Sequence, residues 1–489
     1  MTAVIFYLAS MGTMLSLAMV IPVLIAFGLQ EFDVGIIIFT HVAAWGFISA
    51  GVLLSIIGRN RALTRLGGLY LTLASWILFP LIIAIAMRHI LSITYIEAMF
   101  EVFSAFTTNG ASIIGNPEVV PKSVIAFLAV IQWLGGLATL ITVSIILAPL
   151  GVGGLQEEEH HTLGHSMVSS PLRLHKFSRN LLQIYLLLTA ICFSMLLLTG
   201  LTPFNGFILT MTAMSSGGIL PTQENVEISA GYGGMVILAL FFMISATNIY
   251  WHRMVAFWQK EELFKHRESY YFLALWLGLA VAFSAAIYSA SGASGEFGTL
   301  HIISEGIFNS ASVISTSGLQ SRTGIFPLLP PILILALLFF GGGCYSTSGG
   351  LKLFRIGAML SQSLHELNRL IFPNIVRPAH FGSHEFDISS MKAMWSFFAM
   401  AVIVIFIGAA LLTTSGLEFQ AAFTASLANF TTAGPAYGPE WSGAAAQGWP
   451  DYFEMTPFAH LILIGLMLAG RLELIAIFVL LNFSYWRNR

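Results

Sequence analysis

Thr107-Thr108-Asn109-Gly110, Ser215-Ser216-Gly217-Gly218, Ser315-Thr316-Ser317-Gly318 and Thr431-Thr432-Ala433-Gly434 share one pattern: small hydroxyl side chains running into a glycine. Their last glycines are 108, 100 and 116 residues apart. The chemistry such segments offer is oxygen. Backbone carbonyls point at a common ligand only if neighbouring peptides adopt unusual dihedrals, and glycine reaches positive φ without steric cost. Hydroxyls add further oxygens or tie the turn back to its own helix. Four such turns around one axis make a ring of oxygens able to replace the water shell of a permeating cation. The oxygens in question are those of Thr108, Asn109, Ser216, Gly217, Thr316, Ser317, Thr432 and Ala433. One such turn is weak evidence, since four unrelated re-entrant turns or helix-capping glycines would read alike; the common spacing is what favours a repeated unit.

The elements that must position these turns are legible from hydropathy. The 489 residues are 57% hydrophobic and 9% charged, with mean hydropathy +0.84, too little polar surface for a water-soluble globule of this size. A net charge of −2 gives no footprint for nucleic acid, and two cysteines give no disulfide framework. Ten apolar runs reach the length a bilayer demands, near residues 3–29, 35–57, 67–88, 122–149, 180–200, 232–257, 270–290, 325–357, 388–414 and 456–486. Between members of the last four pairs sit shorter runs near 94–108, 203–216, 300–316 and 417–432, each leading into one of the turns. They reach only partway across a membrane and read as half-helices that dip in and return as irregular backbone. Each half-helix aims its partly negative C-terminus at the membrane centre, which favours a cation there. With the N-terminus in the cytoplasm, of the 21 Lys and Arg only Arg88, Lys122, Arg322 and Arg471 fall outside the cytoplasmic segments. The fold expected is an all-α membrane protein.

Three further features bear on function. Gly341-Gly342-Gly343-Cys344-Tyr345-Ser346-Thr347-Ser348-Gly349-Gly350 interrupts the eighth run, and its five glycines cost a helix roughly 1 kcal/mol each relative to alanine. A broken span there permits two backbone arrangements, against the plainer reading of close helix packing through small residues. Arg471 is the one basic residue expected deep in a span, where it either sets an electrostatic barrier to cations or pairs with another span; Glu473 lies on a different helix face. Glu97, Glu101, Glu305 and Glu418 near the outer mouth either concentrate cations or bond their own loops. Lys352 and Arg355 share a helix face near the cytoplasm, to contact a partner or lipid headgroups. Glu157-Glu158-Glu159-His160-His161 with His165 lacks the spacing of a metal site and reads as a solvated loop. No Walker sequence, dinucleotide fingerprint or nucleophile elbow occurs, so no enzyme activity and no organic cofactor is expected of this chain.

The four turns, Gln132-Trp133-Leu134-Gly135-Gly136, the segment from Gly341 to Gly350 with Lys352 and Arg355, and Leu468-Ala469-Gly470-Arg471-Leu472-Glu473-Leu474 resemble the Trk/Ktr/HKT superfamily of potassium transporters, closest to the membrane subunit of bacterial Trk systems. The resemblance implies two N-terminal transmembrane helices (1–66) followed by four M1-P-M2 repeats with pseudo-fourfold symmetry around one pore: 67–150, 151–260 with a cytoplasmic loop, 261–360, and 361–489 with a second cytoplasmic loop. It implies that Gly110, Gly218, Gly318 and Gly434 are filter glycines, that the ion at the eight oxygen-bearing residues above is K+, that Gly341 to Gly350 is an intramembrane gate, and that Arg471 is a barrier in the pore. It also implies a homodimer in the cell inner (plasma) membrane and a cytoplasmic ring of nucleotide-binding regulatory subunits. The function implied is gated potassium uptake, with an H+- or Na+-coupled symporter of the same fold as the alternative. The chain departs from the family pattern at Leu319, where an aromatic is common, and in its fourth turn, Thr431-Thr432-Ala433-Gly434-Pro435-Ala436-Tyr437, where an Asn-rich form is usual.

Overall fold

The computed structural model describes residues 2–56, 58, 63–147, 171–223, 225–256, 267–291, 298–371, 380–381, 384–385, 388–442 and 448–472. Helices α1 (Thr2–Ala18) and α2 (Val20–Gly28) form one span with α3 (Phe32–Ser55) running back beside it. Then follow α4 (Arg65–Leu91), α5 (Tyr95–Phe106), α6 (Lys122–Ile141), α7 (Pro171–Leu198), α8 (Pro203–Ser215), α9 (Val226–Ala246) and α10 (Ile249–Ala256). The remainder is α11 (Arg267–Ser291), α12 (Thr299–Ile314), α13 (Pro331–Phe340), α14 (Leu353–Ile371), α15 (Ile388–Thr414), α16 (Phe419–Phe430) and α17 (Pro457–Arg471). Among the described residues, the one departure from helix and turn is a two-residue strand, His380–Phe381, paired antiparallel with His384–Glu385.

Eight spans among the described residues, with α1 and α2 together making one, are long and apolar enough to cross a membrane. Two of the short helices α5, α8, α12 and α16 begin on strong local signals. Thr94 and Glu97 form a capping box on α5, and Thr202 caps α8 with Pro203 in its first turn, whereas α12 and α16 start at Gly298 and Glu418 without a side-chain cap; Thr456 likewise caps α17 ahead of Pro457. Each short helix packs against the helix before it and the helix after it: α4 and α6 flank α5, α7 and α9 flank α8, α11 and α13 flank α12, α15 and α17 flank α16. The long-range contacts then form a cycle. α6 packs on α8, α9 on α12, α13 on α16, and α17 returns to α5. A lipid solvent supplies no hydrophobic drive between helices, so close packing at small residues carries these contacts. Gly135 of α6 and Gly470 of α17 show it most sharply: a Cβ on either would overlap the carbonyl oxygen ending the neighbouring short helix, Phe106 O and Phe430 O. The first span and α3 stand outside the cycle, with only 11% of the α3 span buried against 78% of the α6 span.

Two expected spans are broken rather than continuous. The eighth run stops at Phe340, where Gly341 takes φ +68°, and resumes as α14. The sixth run also breaks, between Ala246 and Ile249, which its sequence does not announce. The tenth expected run is described only to Leu472, and Glu473 with the residues after it lies outside the described residues, as does the Glu157–His165 segment.

Candidate cation pathway

The four turns have one backbone. In each, the residue two before the last glycine is left-handed: Thr108 at φ +57°, Ser216 at +50°, Thr316 at +59° and Thr432 at +56°. In each, the following amide reaches back to the carbonyl five residues earlier: Asn109 N to Ser104 O (2.8 Å), Gly217 N to Thr212 O (3.0 Å), Ser317 N to Ser312 O (3.0 Å) and Ala433 N to Ala428 O (2.8 Å). This closes the short helix with the left-handed cap usually given to glycine. Three of the four left-handed residues are β-branched threonines, where the conformation is uncommon and costs of order 1–3 kcal/mol. The expectation that the glycines carry the unusual dihedrals holds for Gly110 (φ +75°) and Gly318 (φ +74°) and not for Gly218 or Gly434. The cap falls on the residue that closes the helix, which is the second hydroxyl residue.

The hydroxyls divide their work by position. Those of Thr107, Ser215 and Thr431 donate to the carbonyl four residues back at 2.7, 2.7 and 2.9 Å, and Ser315 donates to Ser312 O at 3.3 Å. They brace the helix end. The second hydroxyls face a different group of residues, described below.

The turns meet. A Cβ on Gly110 would overlap the Gly218 backbone, one on Gly434 would come within 2.5 Å of Ala111 N, and one on Gly318 within 2.8 Å of Ala433 O. Gly434 N donates to Asn109 O at 2.9 Å and Ser317 Oγ to Gly217 O at 2.5 Å. Every residue of the four segments except Gly110 is buried. Of the eight residues expected to face the ion, Asn109 and Gly217 therefore have carbonyls engaged by a neighbouring turn.

The glycine-rich segment lies against the second hydroxyls. Thr347 Oγ1 is 3.2 Å from Ser216 Oγ, Gly349 N donates to Thr316 Oγ1 at 2.6 Å, and a Cβ on Gly349 would overlap Thr431 O. Thr432 Oγ1, also close to Gly349, is buried without a hydrogen-bond partner. The segment itself hangs on the break between α9 and α10: Gly343 N donates to Ala246 O (2.8 Å), Thr347 N to Ser245 O (3.1 Å), and Ile249 N to Tyr345 O (3.1 Å). Glu268 at the start of α11 accepts from Cys344 N at 3.0 Å.

Arg471 joins the two groups. Its Nε donates to Thr107 O (2.6 Å) and its Nη2 to Thr108 Oγ1, while Nη1 donates to Thr347 O (2.7 Å) and Ser348 O (3.2 Å). The side chain is 4% exposed and, among the described residues, its partners are carbonyl and hydroxyl oxygens rather than a carboxylate. Those dipoles offset part of the cost of desolvating the guanidinium. Lys352 adds a second buried cation, donating to Ser348 O at 2.5 Å. Arg355 is also buried, its Nη1 on Leu351 O at 3.1 Å and its guanidinium 4.4 Å from the Phe397 ring centre. Both side chains are buried within this chain.

On the other side of the turns the acidic residues are committed. Glu101 accepts from Ser112 Oγ (2.7 Å) and Ile113 N (2.9 Å); Asn309, at the same place in the third unit, accepts from Ser321 N (3.0 Å). Both tie the chain returning from the turn to the short helix. Glu97 serves its capping box, and Glu418 stands at the N-terminus of α16. Glu305 accepts from Ser321 Oγ (3.0 Å) and lies 3.0 Å from Arg322 Nε, while His301 contacts Glu227 at 2.6 Å and Glu305 at 4.0 Å. Arg322 occupies both oxygens of Glu305, so this cluster is an ion-pair brace between α9 and α12. Sequence reasoning missed Glu227, His301, Glu268, Asn429 and Tyr452, which act through partners far away in the chain. Gln132 is the exception with a signal: it stands in a quoted motif, and its side chain fills the space a Cβ on Gly217 would need.

Residues 68–276 and 301–485 match the TrkH family, described as cation transport protein. The Trk system potassium uptake protein TrkH of Escherichia coli (strain K12) is 28% identical over 412 residues, covering 81% of this chain and 80% of the relative. The Trk system potassium uptake protein TrkG of the same organism is 24% identical over 484 residues, covering 97% and 96%. In fold, the crystal structure of the potassium transporter TrkH from Vibrio parahaemolyticus matches with a TM-score of 0.83 over 99% of both chains at 24% identity.

Proposed function

We propose, from the fact that this chain belongs to the TrkH family of cation transport proteins, that it takes potassium into the cell through a selective pore lined by the four turns and closed by the glycine-rich segment. It is a multi-pass membrane protein whose N-terminus we assign to the cytoplasm. The four M1-P-M2 units are 67–150, 151–260, 261–360 and 361–489, behind an N-terminal pair of spans. The closed cycle of helix contacts and the common backbone of the four turns support this repeat. Cations cross by exchanging water for the oxygens around Gly110, Gly218, Gly318 and Gly434.

The single observation that carries the reading is Arg471, which bridges the first turn to the segment from Gly341 to Gly350 and sets a positive charge on the route. In this arrangement the segment blocks passage. Opening moves it off Ser216 and Thr316, and the break between α9 and α10 is the surface it slides along. Work by a cytoplasmic nucleotide-binding partner, in a homodimeric assembly, supplies the differential contacts that such a two-state element requires. Glu101 and Glu305 are held by backbone, hydroxyl and guanidinium donors, which favours uncoupled passage over H+ or Na+ symport. The test is growth at limiting K+ of a host lacking its own uptake systems, with the partner supplied. Rescue by the wild type and its loss with Gly110→Ser is expected. Rescue that survives Ser at Gly110, Gly218, Gly318 and Gly434 together would remove the turns from the pathway. Reversal potentials that shift with pH would establish coupled protons instead.

A further inference from the structure

We propose that Tyr452 is a positioning residue for ion discrimination, its phenol holding the fourth turn and, through Asn429, the first. The inference rests on the reading of the turns as an ion filter and names a residue that sets its selectivity.

A closed circuit of hydrogen bonds carries it. Tyr452 Oη donates to Gly434 O at 2.9 Å, and Asn429 Nδ2 donates to Tyr452 Oη at 3.1 Å. Asn109 Nδ2 donates to Asn429 Oδ1 at 2.8 Å, and Gly434 N closes the circuit on Asn109 O at 2.9 Å. The two filter residues joined this way come from turns 1 and 4, so the circuit fixes the distance between them. Asn109 and Asn429 are wholly buried, and Tyr452 is 8% exposed. Burial makes each bond firmer and each lost partner more costly than in water.

The phenol is itself clamped. Its ring lies 5.6 Å from that of Phe100 and 5.2 Å from that of Tyr437, and His460 Nε2 is 2.8 Å from Tyr452 O. A short turn from Tyr452 to Glu454, boxed by Asp451 and Glu454, fixes the backbone. The other turns are braced by the short helix before them, through Glu101, through Thr212 Oγ1 on Ile219 O at 2.7 Å, and through Asn309. Turn 4 is held also by the chain entering α17, through Tyr452. It is also the turn that carries Pro435, whose ring sits where a Cβ on Gly218 would be. A filter distinguishes K+ from Na+ through the number and orientation of its carbonyl dipoles and their resistance to closing on the smaller ion. Removing the Tyr452 hydroxyl leaves Gly434 O on Tyr437 N alone, at 3.1 Å, and opens the link through Asn429, which lets the first and fourth turns close together, admitting Na+.

The experiment measures K+ and Na+ uptake by the full-length protein, with its cytoplasmic partner, in cells lacking other potassium uptake. Tyr452→Phe keeps the ring and removes only the hydroxyl; a fall of about fivefold in the K+ to Na+ ratio is expected, the worth of one buried hydrogen bond. Asn429→Leu gives the same readout by opening the circuit elsewhere, and it decides the matter if Tyr452→Phe does not accumulate in the membrane. Tyr437→Phe is the control, because the hydroxyl it removes donates to Pro450 O, while the Tyr437 amide on Gly434 O stays in place. An equal fall with Tyr437→Phe overturns the proposal, since loosened packing alone would then explain it. Gly318→Ser separates the two levels. If it shifts the ratio and neither circuit variant does, the role of Tyr452 is wrong while the filter stands; if none of the three shifts it, the filter reading fails as well.

Discussion

The four hydroxyl-glycine turns and the glycine-rich segment beside them are made of similar residues and held in opposite ways. Each turn is closed by its own short helix: a left-handed Thr or Ser, an amide reaching five residues back, and a hydroxyl donating into the last helical turn. The segment from Gly341 to Gly350 has local bonds of another kind, Ser346 Oγ on Gly343 O, the Ser346 and Ser348 hydroxyls on each other, and Lys352 on Ser348 O, and none of them closes a helix. Its hold on the rest of the molecule runs through distant partners: the Gly343 and Thr347 amides go to α9, the Cys344 amide to Glu268, the Gly349 amide to Thr316, and the Thr347 and Ser348 carbonyls to Arg471. A structure closed by local bonds is rigid wherever its helix is, whereas one held by borrowed partners leaves when they do. Net hydrogen bonds of ~1 kcal/mol each make that second kind of attachment reversible. The proposed filter and gate need that difference: fixed oxygens beside an element of similar composition that is able to move.

The largest effect expected tests the rigid side. Gly470→Val places a side chain on Phe430 O, at the junction of α16 and α17, where both contacting atoms are backbone and neither can give way. A cost of about 3 kcal/mol or more follows from such overpacking, with loss of assembled protein and of K+ uptake. Gly135→Val, against Phe106 O in the first unit, should behave alike. Membrane levels and uptake near wild type in either variant would mean the turns are less rigid than their bonding indicates.

On the movable side the sign reverses. Arg471→Ala removes the bonds to Thr107 O, Thr108 Oγ1, Thr347 O and Ser348 O at once, and takes a positive charge off the route. Uptake in the absence of the regulatory partner should rise by about tenfold, a shift of ~1.4 kcal/mol in the closed state's favour being lost. Lys352→Met loosens the segment alone and leaves the turns untouched, so a rise of only about threefold is expected. Rubidium uptake with and without the partner measures both. If Lys352→Met opened the pore as far as Arg471→Ala, the bridge between the two regions would not be what holds the segment closed.

What the sequence disclosed follows the same division. The turns were legible because their determinants lie within five residues of one another, and the limits of α5, α8, α12 and α16 fall close to those read from hydropathy. The glycine-rich break was visible from helix cost. What was hidden is the partners. Arg471 meets Thr107 across 364 residues and Asn429 meets Asn109 across 320, separations over which no periodicity reports contact. Lys352 and Arg355 read as surface charges because charge usually is, yet each turns back on the carbonyl four residues before it, Ser348 O and Leu351 O, and the fold lays the Phe397 ring on Arg355. Positive φ is expected at the glycines on steric grounds; Gly110 and Gly318 have it, and helix closure adds it at Thr108, Ser216, Thr316 and Thr432.

The smallest effect sharpens the comparison at the outer face. Glu101 and Asn309 occupy the same position in the first and third units, and each accepts from the amide three residues past its filter glycine, Ile113 N and Ser321 N. One is a carboxyl group and the other a carboxamide, yet the backbone they hold is the same. If Glu101 acts as a brace, Glu101→Gln keeps an acceptor for Ile113 N and costs about 1 kcal/mol or less. Half-saturation for K+ should then change by less than about twofold and by the same factor at low and high ionic strength. Were Glu101 an attractor for cations, the same variant would raise half-saturation several-fold at low salt and much less at high salt, because a screened charge loses its reach. Asn309→Asp makes the reciprocal comparison: it adds a charge where the third unit lacks one and, under the brace reading, gains nothing in K+ affinity while losing the bonds from Asn309 Nδ2 to Glu305 O and Ser321 Oγ.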